Sequence, residues 1–176
     1  MDQPESNKVW QRLQRATGQL FSQIPVLAQV WARGYQALRF DSIPFTPLTK
    51  PLPECRIALV TTGGIHRRDQ PPFNMADARG DASYRRISTT TPDAELTVTH
   101  DYYNHDDVRR DFNILFPREL LHNLAQQGQI GSLSDCYSFM GHIEPPHRTT
   151  LIQQTAPEVA VQLRQEQVDA VLLTPA

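Results

Sequence analysis

The stretch Cys55-Arg56-Ile57-Ala58-Leu59-Val60-Thr61-Thr62-Gly63-Gly64 decides the fold class. It is short, apolar and β-rich, and it stops at a glycine pair. A run that is apolar on both faces reads as a buried strand of a parallel sheet. Alternation predicts a second strand over Glu95-Leu96-Thr97-Val98-Thr99-His100. A third buried strand is expected over Val168-Asp169-Ala170-Val171-Leu172-Leu173-Thr174. Between these, Pro117 opens a helix running to Gln127, with Leu120, Leu121 and Leu124 as its buried stripe and Gly128 closing it. Another helix is predicted from Thr155 to Gln167, with Thr155 as N-cap and Pro157 and Glu158 in the first turn. Residues 65–93 and 101–111 read as polar loops, and 130–141 as short and mixed. Strands alternating with helices give an α/β fold whose sheet is mainly parallel and flanked by helices.

Upstream of the first strand, residues 41–54 hold Pro44, Pro47, Pro51 and Pro53. Each proline fixes φ and removes a backbone donor, so an extended linker is expected there. Residues 6–39 carry helical periodicity through Val9, Leu13, Ala16 and Leu20. Pro25 breaks that run, and a second helix presents Leu27, Trp31, Tyr35 and Leu38 on one stripe. The expected organisation is a helical N-terminal arm at 1–40, a proline-rich linker at 41–54 and an α/β domain at 55–176. The arm's stripe would pack on the domain or on a partner subunit; its basic residues are too sparse for a membrane-surface helix.

Composition excludes several classes. The 176 residues suit one domain with an arm. The apolar share of 39% and charged share of 20% are ordinary for a globular chain. A net charge of -2 argues against nucleic acid. Two cysteines, Cys55 and Cys136, are too few for a secreted disulfide framework, which points to a reducing compartment. The N-terminus lacks the basic start and apolar core of a signal peptide, and the apolar stretch 24–32 is far too short for a bilayer. The cytoplasm is the expected location.

Open parallel sheets bind ligands at the carboxyl ends of their strands. Three segments are expected there: 63–68, 100–107 and whatever follows Thr174. Gly63 and Gly64 would let backbone approach a ligand, although the sequence is neither a dinucleotide fingerprint nor a P-loop. Arg67 and Arg68 could pair with a carboxylate or phosphate. The run from His100 to Asp107 offers two imidazoles and three carboxylates. Imidazole and carboxylate suit zinc or iron, and His142, Glu144 and His147 add a further group, but the spacing is not that of a helical metal site. No metal is therefore assigned. No nucleophile elbow is present, and Cys55 sits where a thiol is usually inert.

The ordered segments Pro44-Phe-Thr-Pro-Leu-Thr-Lys-Pro51, Ala58 to His66, Gly80 to Arg85, Thr99 to Tyr103, Asn113 to Leu120, Gly128 to Ser132, Tyr137 to Gly141 and Val168 to Thr174 together resemble the selenoprotein B family of glycine/sarcosine/betaine and D-proline reductases. The resemblance covers roughly Pro44 to Ala176 and rests on order and spacing rather than on any one motif. It implies reductive cleavage of a carbon–nitrogen bond in an amino acid or related amine. It also implies a partner reductase subunit bearing a carbonyl group, and a dithiol or thioredoxin-like donor. No cofactor is intrinsic to the chain. The family's reactive selenocysteine or cysteine follows the strand that matches 168–174, which places it just after Ala176. The chain as given therefore lacks it, and the domain is expected to be cut short, whether by a UGA codon read as stop, a true deletion or deliberate shortening. An end at that very position favours the first.

The expected pocket comprises Gly63, Gly64, His66, Arg67, Asp101 and Tyr103 for substrate, with His100 and His105 as acid or base. Two rival functions stand beside this one: an accessory or assembly subunit that uses the arm as its interface, and a metal-dependent hydrolase built on the histidine–aspartate run. A homo-oligomer is compatible with either.

Overall fold

The computed structural model describes residues 45–100, 103 and 105–175, together with Val26, Gln29, Arg33 and Ser42. Val26, Gln29 and Arg33 have helical backbone; the rest of the expected arm lies outside the described residues. The chain divides into two compact units, one formed by Leu48–His100 with His105–Ala176 and the other by Met1–Pro47 with Asp101–Asn104. The sheet and its helices belong to the first.

The expected α/β architecture is present. Strand β1 (Arg56–Thr61) is central. Ile57, Ala58, Leu59 and Thr61 are buried, as both-face coverage of a parallel strand requires. Burying a side chain such as Leu59 contributes about 1.5–3 kcal/mol. Strands β2 (Ile65–Arg67), β3 (Arg85–Ile87) and β4 (Leu96–Val98) follow. After them come β5 (Ser132–Leu133), β6 (Cys136–Ser138) and β7 (Ala170–Thr174).

The register settles the layout. Along its whole length β1 pairs in parallel with β7, from Ile57↔Ala170 to Thr61↔Thr174. Its other edge is shared by β5, at Arg56↔Ser132, and β6, at Val60↔Tyr137, both parallel. Beyond β6 lies β3, the antiparallel member. Asp169, just ahead of β7, accepts from the Arg56 amide at 2.9 Å and from Lys50 at 2.8 Å, which pins the two strand starts together.

Helix α1 spans Asp106–Arg110 and α2 spans Arg118–Gln126. A third helical stretch begins as α3 (His147–Thr150), widens into a π-helical segment over Leu151–Thr155 and continues as α4 (Ala156–Gln165). From α4, Val159 packs on Tyr137 and Phe139, with Val60, Tyr84, Leu151 and Leu163 around them. A polar clamp reinforces this contact. The Tyr137 hydroxyl donates to Glu166 at 2.9 Å, and Arg86 bridges Glu166 at 2.7 Å and Asp135 at 2.9 Å. Among the described residues no helix is long and apolar enough to cross a membrane.

Several expectations need correction. The segment 65–93 is not one loop, because it contains β2 and β3. Three-residue strands carry too little periodicity to be seen in sequence. The strand read at 95–100 is real as β4, but it pairs antiparallel with β2 in a separate two-stranded ribbon. The polar run 101–111 includes α1, and 130–141 includes β5 and β6. Leu120 is 55% exposed, so the buried face of α2 runs through Arg118 and Leu121 instead. Thr155 is no N-cap: its backbone is helical, the helix has already begun at His147, and its hydroxyl donates to the Ala82 carbonyl at 2.8 Å. Finally, β7 is not buried, and its Leu173 is 70% exposed.

Candidate functional site

Because β1, β6 and β7 are parallel, their carboxyl ends meet at one edge, marked by Thr61, Ser138 and Thr174. The chain crosses this edge through Thr62, Gly63 and Gly64. Its amides are already engaged. Thr62 donates to the Thr174 carbonyl at 3.0 Å and Gly64 to the Phe139 carbonyl at 2.9 Å. Gly63 donates to the Thr61 hydroxyl at 3.1 Å, and Ile65 to the Ser138 hydroxyl at 2.8 Å. An anion-binding turn would leave such donors pointing outward. The glycines instead permit close packing. Gly64 has φ +66°, and a Cβ there would meet the Thr99 carbonyl oxygen at 2.6 Å. A Cβ on Gly63 would press on Leu115 at 3.0 Å.

The histidines fall into distinct roles. His66 is buried. Its Nδ1 donates to the Arg67 carbonyl at 2.7 Å, since a carbonyl can only accept. Nε2 is then the acceptor for the Thr99 hydroxyl at 2.8 Å. Burial holds this ring below the ordinary histidine pKa, with the Arg67 carbonyl opposing and Arg85 adding to the depression. His66 is thus a neutral, internally bonded side chain. His100 is also buried and sits against both glycine turns of the edge. Its Cβ lies beside Gly64 and its Nε2 beside Gly141. His105 returns to the same place, its Nε2 hydrogen-bonded to the His100 carbonyl.

Beyond His105 lies a cavity of about 670 Å³, on the β4 side of the ribbon. His105, Arg68, Arg110, Asp111 and Glu119 line it. The structure separates the neighbouring arginines. Arg67 is paired with Asp69 and does not line this cavity, whereas Arg68 does. Of the other expected site residues, Tyr103 belongs to the second unit and Asp101 lies outside the described residues. His100 and His105 are brought together; Gly64 joins them through Thr99 and His100 and His66 through Thr99, while Gly63 packs on Leu115 instead. Sequence reading missed Arg110, Asp111 and Glu119 as cavity residues. Arg68 lies just beyond β2, and nothing in the sequence singles it out over Arg67.

The second histidine group does not converge. His142 bonds to the Ala78 carbonyl at 3.0 Å and His147 to Asp77 at 2.8 Å. Among the described residues no three His, Cys, Asp or Glu side chains are grouped to hold a metal ion. Both cysteines are free and buried. Burial pushes the Cys136 thiol up to about 12, so its thiolate is scarce at neutral pH.

A family model described as glycine/sarcosine/betaine reductase selenoprotein B matches residues 14–176. The D-proline reductase subunit gamma of Acetoanaerobium sticklandii is 38% identical over 131 residues, covering 74% of this chain and 52% of that protein. The glycine reductase complex component B subunit gamma of Symbiobacterium thermophilum is 29% identical over 144 residues, covering 80% of this chain and 33% of that protein. The sarcosine reductase complex component B subunit beta of Peptoclostridium acidaminophilum is 28% identical over 102 residues, covering 56% and 23%. The chain thus spans about half the length of the first of these relatives and a third or less of the others. No solved structure matches it.

Proposed function

From the premise that this chain belongs to the glycine/sarcosine/betaine reductase selenoprotein B family, we propose that it is a subunit of a reductase complex that cleaves a carbon–nitrogen bond of an amino acid or related amine. The net reaction breaks the C–N bond, replaces it with C–H and releases the amine. The two electrons and two protons come from a dithiol, which is oxidised to a disulfide. A carbonyl group on a partner subunit would supply electron withdrawal at the amine, and no residue of this chain is assigned to hold it. The family resemblance puts the reactive selenocysteine or cysteine in the turn that follows the strand matched by β7.

The observation that carries this reading is the adjacency of the carboxyl edge and the cavity. The His100 ring stands at the edge, and its carbonyl holds His105 on the cavity wall. A substrate in the cavity would lie beside the edge where the nucleophile is expected. In this reading His105 gives a proton to the departing amine, and the bond from its Nε2 to the His100 carbonyl holds it in position. A positioned general acid contributes roughly 10²–10⁴-fold.

The test is turnover by the chain assembled with its copurifying subunits, using glycine, sarcosine, betaine and D-proline with a dithiol, and measuring released amine or the ring-opened product. Turnover of one substrate, with kcat lowered about 10²-fold or more in His105→Gln and KM little changed, is the expected result. A stoichiometric complex that turns over none of the four would make the chain an accessory subunit.

A further inference from the structure

The five-stranded sheet ends on two unlike edges. At one end lies β3, which carries Arg85 and Arg86. Charge on a short outer strand is the ordinary protection against further strand pairing. At the other end lies β7, which among the described residues pairs only with β1. Its residues Ala170 to Thr174 hold no charge and no proline. Val171, Leu172 and Leu173 are 41%, 40% and 70% exposed. The direction of the open backbone groups follows from the pairing with β1. The Thr174 carbonyl accepts from the Thr62 amide at 3.0 Å, so Thr174 turns its backbone groups toward β1. These groups alternate along a strand, so those of Val171 and Leu173 turn toward the open edge. Leu173 also stands in register with Val60, whose side chain packs on the cluster beneath α4. Val171 and Leu173 therefore continue that sheet face to where the helix no longer covers it.

We propose that β7 is a self-association edge, at which two copies of this chain join their sheets by antiparallel pairing of β7 with β7 about a two-fold axis at Leu172. In that register Val171 of each copy meets Leu173 of the other, and these are the residues whose backbone groups turn outward. Each such pair exchanges both of its N–H···O bonds. The same register sets the Val171 and Leu173 side chains of both copies side by side on one face, and the two Leu172 side chains adjoin on the other. Charge favours a second copy over a foreign strand. The edge holds no charge that would select another partner, and Asp169 at its start is already paired with Lys50 at 2.8 Å, so two copies do not repel there. Identical patches meeting across a two-fold axis are also the commonest form of protein assembly. A pair of five-residue strands is a small contact, below the roughly 1,200–2,000 Å² of a stable interface, so the dimer is expected to dissociate on dilution. Antiparallel pairing points the two carboxyl edges in opposite directions and leaves both open.

The experiment is sedimentation velocity of the purified full chain across the micromolar range, with amide hydrogen exchange measured at the lowest and highest concentrations. The variants are Leu173→Lys and, as an exposed apolar control on α4 beside Tyr84, Val161→Lys. The average mass is expected to rise with concentration toward that of a dimer. Leu173→Lys should weaken this association about tenfold or more, and Val161→Lys should leave it unchanged. The Val171 and Leu173 amides should exchange more slowly at high concentration, which a dimer through another face would not produce. Leu173 is exposed, so unchanged melting of the dilute variant is the check on folding, and the exchange measurement on the unaltered chain needs no variant. In the chain copurified with its other subunits, a photoreactive benzoylphenylalanine at position 173 reports the occupant directly, and a crosslink to a second copy is expected. The proposal is overturned if the chain stays monomeric throughout, if Leu173→Lys associates as the unaltered chain does, if the two amides exchange equally fast at both concentrations, or if position 173 crosslinks to a different polypeptide. None of these outcomes bears on amine release by the assembled complex, which decides the reductase reading on its own.

Discussion

The hydroxyls of Thr61 and Thr174 converge on one acceptor, the carbonyl oxygen of Leu115, at 3.1 and 2.9 Å. The two threonines face each other in register at the ends of β1 and β7. A single peptide carbonyl from the turn before α2 therefore ties both strand ends to the carboxyl edge. Thr174→Val removes one of these bonds at a half-buried site and is expected to cost about 1 kcal/mol in urea unfolding. Thr61→Val costs more, about 1–3 kcal/mol, because it also strips the partner from the Gly63 amide in a fully buried place. Equal costs for the two would show that the clamp does not act as described.

Glu166 carries a denser set of contacts. It accepts from Tyr137 and Ser134 at 2.9 and 2.5 Å and pairs with Arg86. Glu166→Ala takes the acceptor from the buried Ser134 hydroxyl and leaves the Tyr137 hydroxyl only its longer bond to Gln162 at 3.2 Å, and it is expected to destabilise by roughly 1–3 kcal/mol. Glu166→Gln keeps an acceptor for one of them and should lose about half as much. Thermal or denaturant unfolding of both variants measures the difference.

Replacing Gly64 with alanine forces a Cβ to 2.6 Å from the Thr99 oxygen at a positive φ. Replacing Gly80 is worse, because the Cβ would fall 1.8 Å from the His142 oxygen at φ +92°. Gly80→Ala should fail to accumulate as folded protein, while Gly64→Ala folds with a loss of about 2 kcal/mol or more. Circular dichroism melts rank the two, and the reverse order would contradict the geometry.

The neutral state of His66 makes stability depend on pH. Its folded pKa is below the unfolded value near 6.5, so the unfolded chain takes up the proton first. The stabilisation is complete above about pH 6.5 and is lost progressively as the pH falls through the folded pKa. Asp81 adds a second component lower down. Burial opposes its ionisation, but bonds from Ser83 and the Asn74 amide outweigh burial and lower its pKa. That component is present above about pH 4 and is lost below it. Urea midpoints measured from pH 8 to pH 3 should fall in two steps, and His66→Gln should abolish the upper one.

The parallel pair β1 and β7 was legible because each carries four consecutive apolar residues, Ile57 to Val60 and Ala170 to Leu173, and an unbroken apolar run of that length bounded by polar residues reads as a strand. Helix α2 was legible from Pro117 and Gly128. The ribbon of β2 and β4 was not, since three residues such as Ile65-His66-Arg67 show no period, and their pairing with Leu96 to Val98 is a tertiary fact. The same blindness hid the cavity. Arg68 and Glu119 lie 51 positions apart in the sequence and come to line one cavity only in the folded chain. Thr155 misled because a threonine before Pro157 has the chemistry of a cap, yet the backbone was already helical and the hydroxyl found Ala82 instead.

The pairing of β1 with β7 also bears on how the protein is made. Arg56 and Asp169, the residues that lock the two strand starts, are 113 residues apart. At a synthesis rate of roughly 5–20 residues per second, β1 leaves the ribosome about 6–23 seconds before its partner exists. For that interval the central strand of the sheet has one edge unfilled. Order in the centre of this sheet therefore waits until residues 169–174 have been made, and the nascent chain is most exposed to misassociation through Ile57 to Val60 until then.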